Sequence, residues 1–146
     1  MLLSQKAGLR EHRLPALPVH PCVPGRIQPY MPVFEHHVFI CTNERDSTAS
    51  RPSCLPRGSK KLKSAFKDAI KEAGLKHKVR ANESGCLDQC EHGPVVVVYP
   101  DAVWYGNVHT GDVEEIVREH LVKGNPVKRL RLSEVCINSE HCPHRR

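Results

Sequence analysis

The sequence predicts an α/β fold: a mixed four-stranded sheet with two helices, in the order βαβ followed by ββα. Three observations carry that prediction. The run Val95-Val96-Val97-Val98 is apolar at every position, which marks a strand buried on both faces. Apolar residues at helical spacing from Leu62 to Ala73 stand between two short apolar stretches, the signature of a crossover unit. A second helical pattern follows the hairpin that the valines open. With 146 residues and 39% hydrophobic content, the chain supports one core with extensions.

In chain order, residues 1–34 read as an extension. Pro15, Pro18, Pro21 and Pro24 recur every third residue, as on one side of a polyproline II segment. A disordered lead-in is the plainer reading, and a proline-rich ligand or targeting segment with Arg10 and Arg13 is the functional one. Met31 stands as an alternative start. A strand is expected at 38–41, then a polar loop closing on Cys54. Ser59 reads as the N-cap of a helix that buries Leu62, Ala65, Phe66, Ala69, Ile70 and Ala73 and stops at Gly74. A parallel strand follows at 75–81. Strands at 95–99 and 102–108 form a hairpin around Pro100-Asp101, with proline where a type I turn takes it. An Asp112-x-x-Glu115 capping box opens the last helix, which buries Val113, Ile116, Val117 and Leu121 before Gly124 and Pro126. This is the layout of a thioredoxin-like sandwich over residues 35–130, and 131–146 read as a basic polar tail.

No apolar run is long enough for a membrane span, and no signal peptide is indicated, so a cytoplasmic protein is expected. Seven cysteines (22, 41, 54, 86, 90, 136 and 142) in a reducing compartment point to metal or redox chemistry more than to disulfides. The net charge of +6 is local: residues 57–80 hold nine Lys or Arg against Asp68 and Glu72. Lys60, Lys63, Lys67 and Lys71 share one helix face, with too few aromatics for nucleic-acid stacking. The face reads as solvated, or as one that steers an acidic redox partner.

Cys86 and Cys90 stand among Gly85, Asp88, Gln89, Glu91, His92 and Gly93, a polar loop rather than a core. The topology brings Cys41 at the end of the first strand, Cys54 before the first helix, and Cys86 and Cys90 before the third strand to one edge of the sheet. Four thiolates suit a structural zinc or an iron-sulfur cluster. Backbone N–H groups at Gly85 and Gly93 are expected to offset thiolate charge. His92, two residues past Cys90, reads as facing water, with a hydrogen bond to a site sulfur as the alternative. Trp104 and Tyr105 read as hairpin packing or dimer contacts. His141, Cys142 and His144 suggest a metal-binding tip, with spare surface residues the plainer reading.

The pattern Cys41-x12-Cys54 and Cys86-x3-Cys90, with Gly93-Pro94-Val95-Val96-Val97-Val98-Tyr99-Pro100-Asp101 and Val103-Trp104-Tyr105-Gly106, resembles the thioredoxin-like 2Fe-2S ferredoxins of the Shethna type. It is similar, more distantly, to the small cluster-bearing subunit of respiratory complex I and related hydrogenases. The likeness covers about residues 36–132. It implies one 2Fe-2S cluster held by Cys41, Cys54, Cys86 and Cys90, one-electron exchange with redox partner proteins, no enzymatic reaction, and a homodimer. A low potential, near the roughly −400 mV of plant-type clusters, is expected. Cys22, Cys136 and Cys142 inherit no role. The rivals are a zinc-stabilised thioredoxin-like binding module and a thiol-disulfide oxidoreductase. The second lacks the Cys-x-x-Cys pair such enzymes use, since Cys54 precedes its helix alone.

Overall fold

The computed structural model describes residues 33–145, so Cys22, Met31 and nearly all of the expected proline-rich extension lie outside the described residues. Four strands form one sheet in the order β2-β1-β3-β4. They are β1 (His36–Cys41), β2 (Val79–Ser84), β3 (Val96–Tyr99) and β4 (Val103–Tyr105). β1 and β2 run parallel through α1 (Ser59–Glu72), and β3 lies antiparallel to β1 and β4.

Alternation along the strands divides the interior in two. Val38 and Ile40 of β1 and Val96 and Val98 of β3 face a core with Leu62, Phe66 and Ile70 of α1 and with Val113, Ile116, Val117 and Leu121. Cys41, Val95 and Val97 point to the opposite face, where they meet Cys54, Cys90, Trp104 and Leu132. The valine run is uniformly apolar because both faces are covered.

Several local expectations shift. Ser59 is the first residue of α1 rather than its cap. The cap is Gly58, held at φ +96°, and the Ser59 hydroxyl is buried without a partner among the described residues. Ala73 is exposed as the C-cap, while Gly74 at φ +71° ends the helix as expected. The strand expected at 75–81 begins only at Val79, because Leu75 accepts from Lys78 and Val79 in a turn. The hairpin turn places Ala102 at φ +53°, which a simple type I turn does not contain.

The last helix starts three residues early. The Asp112 carboxylate accepts from the His109 N–H at 2.8 Å, so Asp112 closes a capping contact instead of opening one. A short 3-10 turn (Thr110–Asp112) leads into α2 (Val113–Glu115), which continues as a π-helical stretch (Ile116–Val122).

The expected polar tail is packed. Leu132 is buried and donates its N–H to the Trp104 carbonyl at 2.8 Å, and Cys136 and Cys142 are buried behind it. One isolated leucine and one apolar triplet, Val135-Cys136-Ile137, carry no periodicity, which is why sequence reading missed this.

Candidate metal centre

Strand register sets the site. Cys41 ends β1 opposite Ser84 at the end of β2 and donates its N–H to the Val95 carbonyl at 3.0 Å, at the entrance to β3. The Asn43 carbonyl accepts from the N–H groups of Cys54 and Leu55, each at 3.1 Å, so the polar loop folds back and delivers Cys54 beside Cys41. A 3-10 turn (Cys90–His92) inserts Cys90 from the third side.

The sulfurs of Cys41, Cys54 and Cys90 all lie within 4.8 Å of one another. Cys41 and Cys90 are 3.9 Å apart, and the Cys86 sulfur is 3.7 Å from that of Cys90. Cys41, Cys54 and Cys90 are fully buried, and Cys86 is exposed. The surface-loop expectation therefore holds for Cys86 and not for Cys90, whose side chain joins Val95, Val97 and Trp104 in the second core.

The surroundings are cationic and rich in donors. Arg45 reaches the Cys86 sulfur at 3.2 Å, and the Asp88 N–H donates to the same sulfur at 3.3 Å. Arg57 donates to the carbonyls of Cys90 and Gly93, each at 3.2 Å, and Arg51 bridges Asp88 and Glu91, each at 2.7 Å. The Gly93 N–H donates to the Cys90 carbonyl at 3.1 Å, not to sulfur as expected. Gly93 matters for space: a Cβ there would sit 2.6 Å from the Cys54 sulfur.

The electrostatics of the donor set are compatible with a metal site. Hydrogen bonding from the Cys54 thiol, helped by the backbone of Asn43 and Leu87, pulls Cys41 down to about 5 against the cost of burial. The same contact pushes Cys54 up, and burial pushes Cys90 up. One thiolate is favoured here, and a bound cation would offset the cost of ionising its buried neighbours as well. Three converging sulfurs, a fourth at 3.7 Å from Cys90, and a cationic rim fit zinc or an iron-sulfur cluster.

Sequence reading missed the three arginines. The available signal was their position: Arg45 and Arg51 lie between Cys41 and Cys54, and Arg57 just beyond. It also misjudged His92, which is only 9% exposed, with Nε2 at 3.3 Å from the Cys142 sulfur. Trp104 packs within its own chain against Leu132 and the cysteine face, and the Tyr105 hydroxyl meets His120 Nδ1 at 2.9 Å.

No protein-family profile matches the chain. It is 41% identical over 98 residues to a 2Fe-2S ferredoxin of Clostridium pasteurianum, across 67% of this chain and 96% of that protein. A 2Fe-2S ferredoxin of Aquifex aeolicus is 44% identical over 99 residues, across 67% of this chain and 89% of that protein. The crystal structure of the wild-type thioredoxin-like 2Fe-2S ferredoxin from Aquifex aeolicus superposes with a TM-score of 0.65 at 43% identity, covering 69% of this chain and 99% of that one. About a third of this chain thus lies outside the match.

Proposed function

We propose, because this chain belongs to the thioredoxin-like 2Fe-2S ferredoxins, that Cys41, Cys54, Cys86 and Cys90 are the four ligands of its one 2Fe-2S cluster. The protein is an electron carrier with a cysteine-bound cluster. When bound, the cluster supplies reversible one-electron transfer. The observation that carries the ligand assignment is the convergence of three buried sulfurs within 4.8 Å, with Cys86 at 3.7 Å from Cys90.

The chain's own residues hold and tune that site. Val95, Val97, Trp104 and Leu132 keep water from three of the four sulfurs. Arg45 and the Asp88 N–H place positive charge against the exposed sulfur of Cys86, which favours a more negative occupant. Cys86 alone is open to a partner, so electrons enter and leave at that corner.

The partner is another redox protein, and the carrier performs no enzymatic reaction itself. The family likeness supports a homodimer, and the six cysteines outside disulfides among the described residues support a reducing, cytoplasmic location. No helix among the described residues is long and apolar enough to cross a membrane.

Anaerobic purification, iron and sulfide analysis, and paramagnetic resonance after dithionite reduction test the ligand assignment. Two irons and two sulfides per chain with a reducible signal are expected. Serine at any one of the four positions should alter or abolish that signal. A normal cluster in Cys86→Ser would remove Cys86 from the set. Zinc without sulfide, after attempted reconstitution, would leave the zinc-stabilised module instead.

A further inference from the structure

We propose that His92, Cys136, Cys142 and His144 form a second metal centre, a tetrahedral Cys2His2 zinc site that fastens the C-terminal segment across the cysteine-bearing face of the sheet. It is separate from the four-cysteine site and does not depend on that assignment.

The four ligand atoms all lie within 4.8 Å of one another. His92 Nε2 is 3.3 Å from the Cys142 sulfur, and His144 Nδ1 is 3.8 Å from Cys142 and 3.9 Å from Cys136. Zinc bonds of about 2.3 Å to sulfur and about 2.0–2.1 Å to nitrogen, at tetrahedral angles, place sulfur and nitrogen ligands about 3.5–3.6 Å apart. The observed separations bracket that value. The two imidazoles meet edge to face, at 74° with centroids 4.8 Å apart, and their ligand nitrogens lie within 4.8 Å of each other.

Burial argues against the plainer reading of spare cysteines. Cys136 and Cys142 are each 6% exposed, while Val135, the apolar neighbour a packing role would bury, is 61% exposed. Neither thiol belongs to either hydrophobic cluster of the protein. From Ser133 to Arg145 the segment has turns but no helix or strand, and of its apolar side chains Ile137 packs against the second core while Val135 is exposed, too little to hold it in place by itself. It touches the ligand loop at three points: Arg145 on Asp88, Asn138 on Gln89, and Cys142 on His92. Two thiolates with two imidazoles are a borderline-soft tetrahedral set, which selects zinc over the oxygen-preferring cations. His141 is exposed and outside the set, so the site differs from the tip suggested by His141, Cys142 and His144 alone.

Metal analysis of the full chain purified without oxygen tests this. One zinc per chain is expected beside the iron. Cys136→Ser/Cys142→Ser should lose the zinc and keep the iron and visible absorption, whereas Cys41→Ser should lose iron and keep zinc. Should the double variant fail to fold, the wild-type chain still decides. One equivalent of Co2+ added to zinc-depleted protein should give the d–d and thiolate charge-transfer bands of a tetrahedral site, and zinc should displace them. Iron without zinc or cobalt uptake, zinc retained by the double variant, or a Cys136–Cys142 disulfide in the isolated protein would each overturn the proposal. Absence of iron, with zinc bound by the wild type and lost in the double variant, would count against the cluster assignment alone.

Discussion

Gly93 has no room for a side chain. Its missing Cβ is occupied by the Cys54 sulfur, and the Cys90 carbonyl stands 3.1 Å from the same point. Because both neighbours belong to the cysteine site, Gly93→Ala should displace a ligand rather than a pliable surface group. A stability loss of about 1–3 kcal/mol, as for other overpacked positions, is expected in chemical denaturation, together with less than half the iron of the wild type. Full iron occupancy would show that the loop yields without moving Cys54. The four cysteines were legible from spacing because metal ligands must be those atoms at those places. The arginines were not: a long side chain reaches a sulfur from many positions, so its partner is decided by the folded loop.

At the level of elements, the cap of α1 separates two readings of one residue. As an N-cap, Ser59 would cost about 1 kcal/mol when replaced by alanine. Its hydroxyl is instead buried and unpaired, so Ser59→Ala should leave the midpoint of thermal unfolding unchanged or raise it by a few degrees. A fall would restore the capping role. The second helix is fastened to the sheet by His120, which is 2% exposed and faces the Tyr105 hydroxyl, Asp101 at 3.2 Å and the ring of His36. Burial lowers its affinity for a proton more than Asp101 restores it. The unfolded chain therefore takes up the proton first. This contribution to stability is complete above about pH 6.5, the ordinary histidine value, and is lost as pH falls below it. His120→Gln should flatten the fall in unfolding midpoint across that interval, and an unchanged slope would assign the acid sensitivity elsewhere. The helices were legible because amphipathic spacing survives in any context. Their exact starts were not, since Gly58 and His109 act through backbone geometry that residue type does not announce.

Over the whole molecule, the two faces of the sheet differ in legibility. The helix-covered face follows from periodicity, and its core residues match what the strands and helices announce. The other face is closed by an irregular segment in which Leu132 stands between Arg131 and Ser133 and the triplet Val135-Cys136-Ile137 is too short to show a helix or strand period. Lys60, Lys67 and Lys71 stand exposed along α1, with no acidic partner at ion-pair distance among the described residues, while Lys63 meets Glu83 at 3.3 Å. That unneutralised face suits an acidic redox partner. Its encounter rate should fall several-fold between low and physiological salt, measured by stopped-flow electron transfer. A rate indifferent to salt would make the lysines a solubility feature.

The unequal depth of the four thiols has a further consequence, for how the protein ages. Three are sealed in the interior, and Cys86 alone touches water, so an alkylating reagent or a peroxide arrives from one side only. In metal-free protein exposed briefly to iodoacetamide, mass spectrometry should find Cys86 modified well before Cys41, Cys54 or Cys90. Damage then begins at a single corner while the other three thiols stay intact, and where the oxidant is a peroxide the first product at Cys86, a sulfenic acid, can still be reduced back.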